Sequence, residues 1–169
     1  MADIKFEVGG MVAYPGQGVA EIAGVIEKSL GGSVIIFFEL VMLETGIKIM
    51  VPVHKAEAVG LRKLITTDEV KLLFDILGTR DVVFDKQTWN RRYRGFVEKI
   101  KTGSLFDVAE VFRDLSLLKF KKTLSFGEKR MLETAKALIQ RELCVVQEKT
   151  DEEVEKDLED IFKDVQPAT

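Results

Sequence analysis

Leu61-Arg62-Lys63-Leu64-Ile65-Thr66-Thr67-Asp68-Glu69-Val70 is where the hydrophobic pattern changes period. Upstream, apolar residues recur in short β-branched and aromatic runs. From Ile65 onward they recur every three to four positions, as on one face of a helix. The switch carries its own start signal. Thr66 and Glu69 stand at capping-box spacing, and Ile65 and Val70 flank them as a hydrophobic staple, so a helix is predicted to begin at Thr67. The stretch therefore predicts a β-rich first part and a helical second part.

Working back from it, Phe6 to Val8, Val12 to Tyr14, Val19 to Ile26, Val34 to Leu43 and Ile47 to Val53 read as strands. Turn chemistry separates them at Gly9-Gly10, Pro15-Gly16-Gln17-Gly18, Gly31-Gly32 and Thr45-Gly46. Pro15 and Pro52 fall in this part, and no proline occurs between Val53 and Gln166. The expectation for residues 1–62 is a small, strongly bent antiparallel sheet or barrel.

Working forward, Ser125 with Glu128 and Thr150 with Glu153 repeat the capping box, and Ser104 with Asp107 is a weaker version. Helices are predicted near 67–77, 88–101, 105–120, 126–147 and 151–164, joined by short connections such as Lys101-Thr102-Gly103. Residues 65–169 thus form a compact all-α domain of about five helices, joined to the sheet near Gly60 to Lys63. The fold class is α+β.

Composition narrows the chemistry. In 169 residues, 46% of them hydrophobic, there is one cysteine, Cys144, and one histidine, His54. An internal disulfide is excluded, and a structural zinc site lacks ligands. His54 and Cys144 stand about ninety positions apart, which gives no Cys/His nucleophilic pair. The nearest Gly-rich stretch, Gly16-Gln17-Gly18-Val19-Ala20-Glu21, lies between strands and reads as a hairpin turn rather than a phosphate cradle. The acidic run Glu152-Glu153-Glu155-Asp157-Glu159-Asp160 is the solvated face of a helix whose apolar side is Val154, Leu158, Ile161 and Phe162. A non-enzymatic protein without metal or cofactor is expected. No apolar run reaches the roughly 18 to 20 residues of a membrane span, and the first residues show no signal pattern, so a cytoplasmic protein, monomeric by default, is expected.

The net charge of −3 hides a segregation. Residues 1–85 hold 8 Lys/Arg and 12 Asp/Glu, residues 86–141 hold 14 and 6, and residues 142–169 hold 3 and 10. The middle block, net +8, is a candidate polyanion surface.

Within that block the sole tryptophan opens Trp89-Asn90-Arg91-Arg92-Tyr93-Arg94. Arginines contact phosphates and narrow minor grooves, and an exposed aromatic plane can wedge against an opened base step. A packing role competes. Trp89, Tyr93, Phe96, Val97 and Ile100 fall on one helical stripe, and spacing alone favours Trp89 facing the core, although a first-turn residue can project beyond it. A second cluster runs from Lys119-Phe120-Lys121-Lys122 to Ser125-Phe126-Gly127-Glu128-Lys129-Arg130. There the amides at a helix start and several cations suit phosphate without base specificity, and lysines at a helix end equally complement its dipole.

The strings Ala13-Tyr14-Pro15-Gly16-Gln17-Gly18-Val19, Ile49-Met50-Val51-Pro52-Val53 and Val59-Gly60-Leu61-Arg62 resemble the polymerase-interacting domain of the CarD/CdnL regulators. Trp89 to Tyr93, Ala109 to Leu115 and Leu124 to Leu132 resemble the DNA-binding domain of the same family, in family order from about Phe6 to Phe162. The resemblance implies a Tudor-like β-domain that docks on the lobe of the RNA polymerase β subunit, partly by adding an edge strand to the partner's sheet. Polymerase contacts would fall on Lys28, Ile49, Met50 and Pro52. It further implies a helical domain that binds promoter DNA without sequence specificity at the upstream edge of melting, stabilising the open complex. There Trp89 is the wedge, and Arg91, Arg92, Arg94, Lys129 and Arg130 hold the backbone. For Trp89 we follow the resemblance over the spacing. The sequence departs from many relatives at Gly10-Met11, which replace an acidic-basic pair, at Met50, where some carry arginine, and in the more apolar Val34 to Leu43. A second reading stays open: an adaptor whose domains both bind proteins, with no direct DNA contact.

Overall fold

A computed structural model describes residues 6–80 and 89–165, and for Trp89 and Asn90 the backbone alone. The chain divides into two compact units, Met1–Leu64 and Ile65–Thr169.

The first unit is one antiparallel sheet built from β1 (Met11–Tyr14), β2 (Gly18–Leu30), β3 (Ser33–Met42), β4 (Lys48–Pro52) and β5 (Arg62–Lys63), in the order β4-β3-β2-β1-β5. Consecutive strands pair as hairpins, and β5 returns by a short 3-10 turn over Val53–Lys55 to close on β1. Gly31 and Gly32 form the β2–β3 turn with φ of 57° and 83°. Two successive positive φ values are what a two-residue loop needs to follow the strand twist, and glycine supplies them without a Cβ clash. Val12, Ala20, Ile22, Phe38, Leu40, Met42, Val51 and Leu61 form the buried core on one face of the sheet.

One irregularity decides which side chains share a surface. Ile22 pairs with Leu40, but Gly24 pairs with Glu39, so Ala23 is an extra residue in β2. Such a bulge bends the strand and reverses the facing of every residue beyond it. Ile22 lies on the core face, whereas Gly24, Ile26 and Lys28, at even positions like Ile22, lie on the opposite face, beside Glu39, Phe37 and Ile35.

Two expectations are corrected here. Phe6 to Val8 is not a strand, because the Gly10 N–H turns back onto the Glu7 carbonyl at 2.9 Å. Phe6 still packs, meeting Phe38 edge to face at 5.8 Å between ring centroids. The expected joining segment from Gly60 to Lys63 contains β5, so Arg62 and Lys63 belong to the sheet.

The second unit contains α1 (Thr67–Gly78), α2 (Trp89–Lys101), α3 (Leu105–Lys119), α4 (Phe126–Gln147) and α5 (Asp151–Ile161). The helix starts match their caps. Thr66, Ser125 and Thr150 each accept from the backbone N–H three residues on, and Glu69, Glu128 and Glu153 reciprocate. The weaker Ser104 signal behaves differently: its hydroxyl makes no cap bond, and Thr102 Oγ1 instead accepts the Ser104 N–H and donates to Asp107 at 2.7 Å. Helix α3 is apolar around most of its circumference and is accordingly the central helix, with α1, α2 and α4 packed on it. Ile65 and Val70, the staple pair, are both buried in this core.

Candidate protein and nucleic-acid interfaces

Strand β4 bonds only to β3 among the described residues and is therefore an edge of the sheet. An edge strand presents unpaired backbone donors and acceptors to any strand that comes alongside. Met50 lies opposite Glu39, and Pro52 opposite Phe37, on the face away from the core. The Ala23 bulge places Lys28 on that same face, at the far end of the β2–β3 hairpin. Three of the four candidate polymerase contacts, Lys28, Met50 and Pro52, thus share one surface; Lys28 is exposed and the other two are half-buried. Ile49 does not join them. It lies opposite Leu40, half-buried against the core on the other face.

In the helical unit, α2 holds the Trp89–Arg94 motif in its first turns. Its stripe faces the core through Phe96, Val97 and Ile100 but fades toward the N-terminus, where Tyr93 is 42% exposed. The helix carries Trp89 at its first position, and the indole lies outside the described residues. Arg91 and Arg94 are exposed and pair with no carboxylate among the described residues; Arg92 is half-buried, with a buried Nε that has no hydrogen-bond partner among them. Such cations are solvated and open to an external anion. By contrast, Lys99 is committed to Glu110 at 2.7 Å, and Arg113 to Asp114 at 3.0 Å and to the Ile76 carbonyl, bonds that tie α2 and α1 to α3. Burial pushes the Asp114 carboxyl above the usual range, and Arg113 only partly opposes it.

Lys129 and Arg130, in the first turn of α4, are likewise exposed with no carboxylate partner among the described residues. The turn beneath them is held by Glu128, 1% exposed, whose Oε1 accepts both the Ser125 N–H and the Lys122 ammonium at 2.9 Å. Burial would raise its pKa, but the Ser125 backbone and Lys122 outweigh that and hold it below the ordinary carboxylate value. Beside them stands Phe126, 80% exposed, which the sequence reading named only as part of a motif. Its spacing was the available signal: it falls five residues before Met131, off the buried stripe of Met131, Ala135, Leu138 and Ile139. The first turns of α2 and α4 thus each set exposed cations close to an aromatic residue in sequence, and both helices pack on α3.

Among the described residues, no group of three or more His, Cys, Asp or Glu side chains is placed to hold a metal ion, and no helix is long and apolar enough to cross a membrane. Gly16 and Gly18 adopt positive φ in the turn between β1 and β2. That turn closes with the Gln17 N–H on the Tyr14 carbonyl, which is hairpin geometry and no phosphate cradle.

The chain thus combines a sheet with an open edge and, further along, a helical unit with exposed cations. The family described as CarD, C-terminal domain, matches residues 72–159, and that described as CarD-like/TRCF RID domain matches residues 6–65. The chain belongs to the CarD family. It is 28% identical over 151 residues to the putative transcription factor YdeB of Bacillus subtilis, covering 88% of this chain and 97% of that one. Among solved structures it is similar to the 72-residue N-terminal domain of Myxococcus xanthus CarD, at 35% identity over 37% of this chain and 84% of that one, with a TM-score of 0.31. It is also similar to CdnLNt from Myxococcus xanthus, at 38% identity over 38% of this chain and 92% of that one, with a TM-score of 0.33.

Proposed function

We propose that this chain is a transcription regulator that tethers itself to RNA polymerase through the β4 edge and holds promoter DNA through its helical unit. The partner on the polymerase is the lobe of the β subunit. A strand of the lobe pairs with β4, while Met50, Pro52 and Lys28 contact the lobe from one face. Tethering raises the local concentration of the helical unit beside the upstream edge of the melted region, so tight intrinsic DNA affinity is not needed. Arg91, Arg92, Arg94, Lys129 and Arg130 hold the phosphate backbone, and the Trp89 indole wedges into the minor groove where the strands part. Because the wedge fits opened DNA better than closed DNA, it shifts the equilibrium toward the open complex.

The observation that carries this reading is the state of Arg91 and Arg94: solvent-facing, next to the sole tryptophan, and without a carboxylate partner among the described residues. Measuring open-complex lifetime on a linear promoter with wild type and Trp89→Ala tests it. The variant should bind polymerase as wild type does and shorten the lifetime about tenfold, the equivalent of about 1.4 kcal/mol. An unchanged lifetime removes the wedge.

A further inference from the structure

Inside the helical unit, the end of α3, the loop over 121–124, α4 and the residues closing α5 enclose a groove of about 1140 Å³. Its floor is apolar. Phe112 and Phe162 meet there edge to face at 5.8 Å, and the half-buried Phe120 and Leu132 extend them. The floor is also fixed in place, because the Arg80 guanidinium lies 5.1 Å from the Phe162 ring centroid and donates to the Leu77 carbonyl and the Asp164 carboxylate. Around it the lining contributes six lysines against two glutamates. Lys122, Lys136 and Lys163 are paired with Glu128, Glu155 and Asp160, while Lys119 and Lys129 have no carboxylate partner among the described residues.

We propose that this groove binds an acidic amphipathic segment of a partner protein, with apolar anchors on the aromatic floor and carboxylates against the lysine rim. Charge complementarity sets the sign of the ligand, and the floor decides its class. Duplex DNA presents mainly phosphates at its surface and little apolar area that could displace water from the half-buried Phe120 and Leu132 above the buried Phe112 and Phe162. A helix with anchors at every third and fourth position does so while turning carboxylates to either side. The distribution of cations points the same way. They stand on four separate chain segments around the floor, which suits a ligand charged along both flanks rather than one with a single anionic head. None of the lining residues comes from α2, so the groove is built from different elements than the Trp89–Arg94 motif, with Lys129 at the border.

The experiment uses the full chain and a fluorescein-labelled peptide of about 16 residues, with Leu and Phe on one helical face and Glu and Ala elsewhere. A second peptide of identical composition in shuffled order is the control, and anisotropy reads both. The ordered peptide should bind with a Kd on the order of micromolar, at least about tenfold tighter than the shuffled one. Lys119→Glu, at the exposed end of α3, should weaken it about fivefold, and Leu132→Gln about tenfold. Thermal unfolding of both variants shows that each remains folded, and Lys119→Glu decides alone if Leu132→Gln does not. Equal binding of the two peptides, or no effect of Lys119→Glu, overturns the proposal. So does a loss of duplex DNA binding in folded Leu132→Gln that matches the loss of peptide binding, which would assign the groove to DNA.

Discussion

Glu128 is a buried carboxylate with three tasks: it completes the Ser125 cap, it anchors Lys122, and it fixes the turn from which Lys129 and Arg130 project. Its folded pKa lies below the unfolded value of about 4.3, so its ionised form stabilises the native state above that pH. The contribution disappears as pH falls through the depressed folded value. Glu128→Gln keeps a side chain able to close the capping box and removes only the charge. It should cost about 1 kcal/mol at pH 7 and flatten the stability profile below about pH 4.5, as read by urea unfolding at a series of pH values. Met50 offers a second test at this scale. With a thioether rather than a cation at this position, β-lobe binding should depend weakly on salt, and Met50→Arg should steepen that dependence in an equilibrium titration. How much of these residues could be read in advance differs. The Thr66, Ser125 and Thr150 caps are local chemistry and were legible from spacing. The companionship of Lys28 with Met50 and Pro52 was not, because counting alternate residues forward from Ile22 assigns Lys28 to the core face, and only the cross-strand register reveals Ala23 as the extra residue.

Strand β2 is where that register matters most. Deleting Ala23 would remove the extra residue while leaving Gly24 opposite Glu39 and Lys28 opposite Ile35, on the face they already occupy. The deletion should therefore keep β-lobe binding within about twofold of wild type, whereas Lys28→Ala should lower it about tenfold, with the helical signal of the second unit persisting in circular dichroism in both. Preserved binding in Lys28→Ala would mean that Lys28 is not a contact. The helices were legible almost to the residue at their starts, since caps are side-chain signals, and less so at their ends; α5 closes at Ile161, where apolar periodicity alone suggested about 164. The two-residue β5 left no periodic trace at all, since a strand that short is defined by its partner β1 rather than by its own pattern.

Charge is a property of the whole molecule, and its distribution outweighs its sum. Residues 65–169 contain 19 Lys/Arg and 21 Asp/Glu, a slightly acidic total that by itself would argue against DNA. Yet the basic block covers α2, α3 and most of α4, while the acidic run lies on α5. The fragment 65–169, which has its own continuous core, should fold alone and bind duplexes of unrelated sequence equally. Its log K against log salt should be linear, with a slope of about −0.9 per phosphate engaged, and Arg91→Glu or Lys129→Glu should each reduce that slope by about one. A fragment that folds but shows no salt-sensitive DNA binding would favour the adaptor reading.

Cys144 is the chain's sole thiol, and its surroundings decide its chemistry. Burial and the Asp151 carboxylate, 3.3 Å from the sulfur, push its pKa up to about 11. At neutral pH only about one molecule in ten thousand then carries the reactive thiolate. Maleimides and mild oxidants should therefore pass the native protein by. A cysteine engineered onto any open surface, such as the β2–β3 hairpin, can be dye-labelled selectively with Cys144 left in place, so single-molecule fluorescence can follow an otherwise unaltered chain.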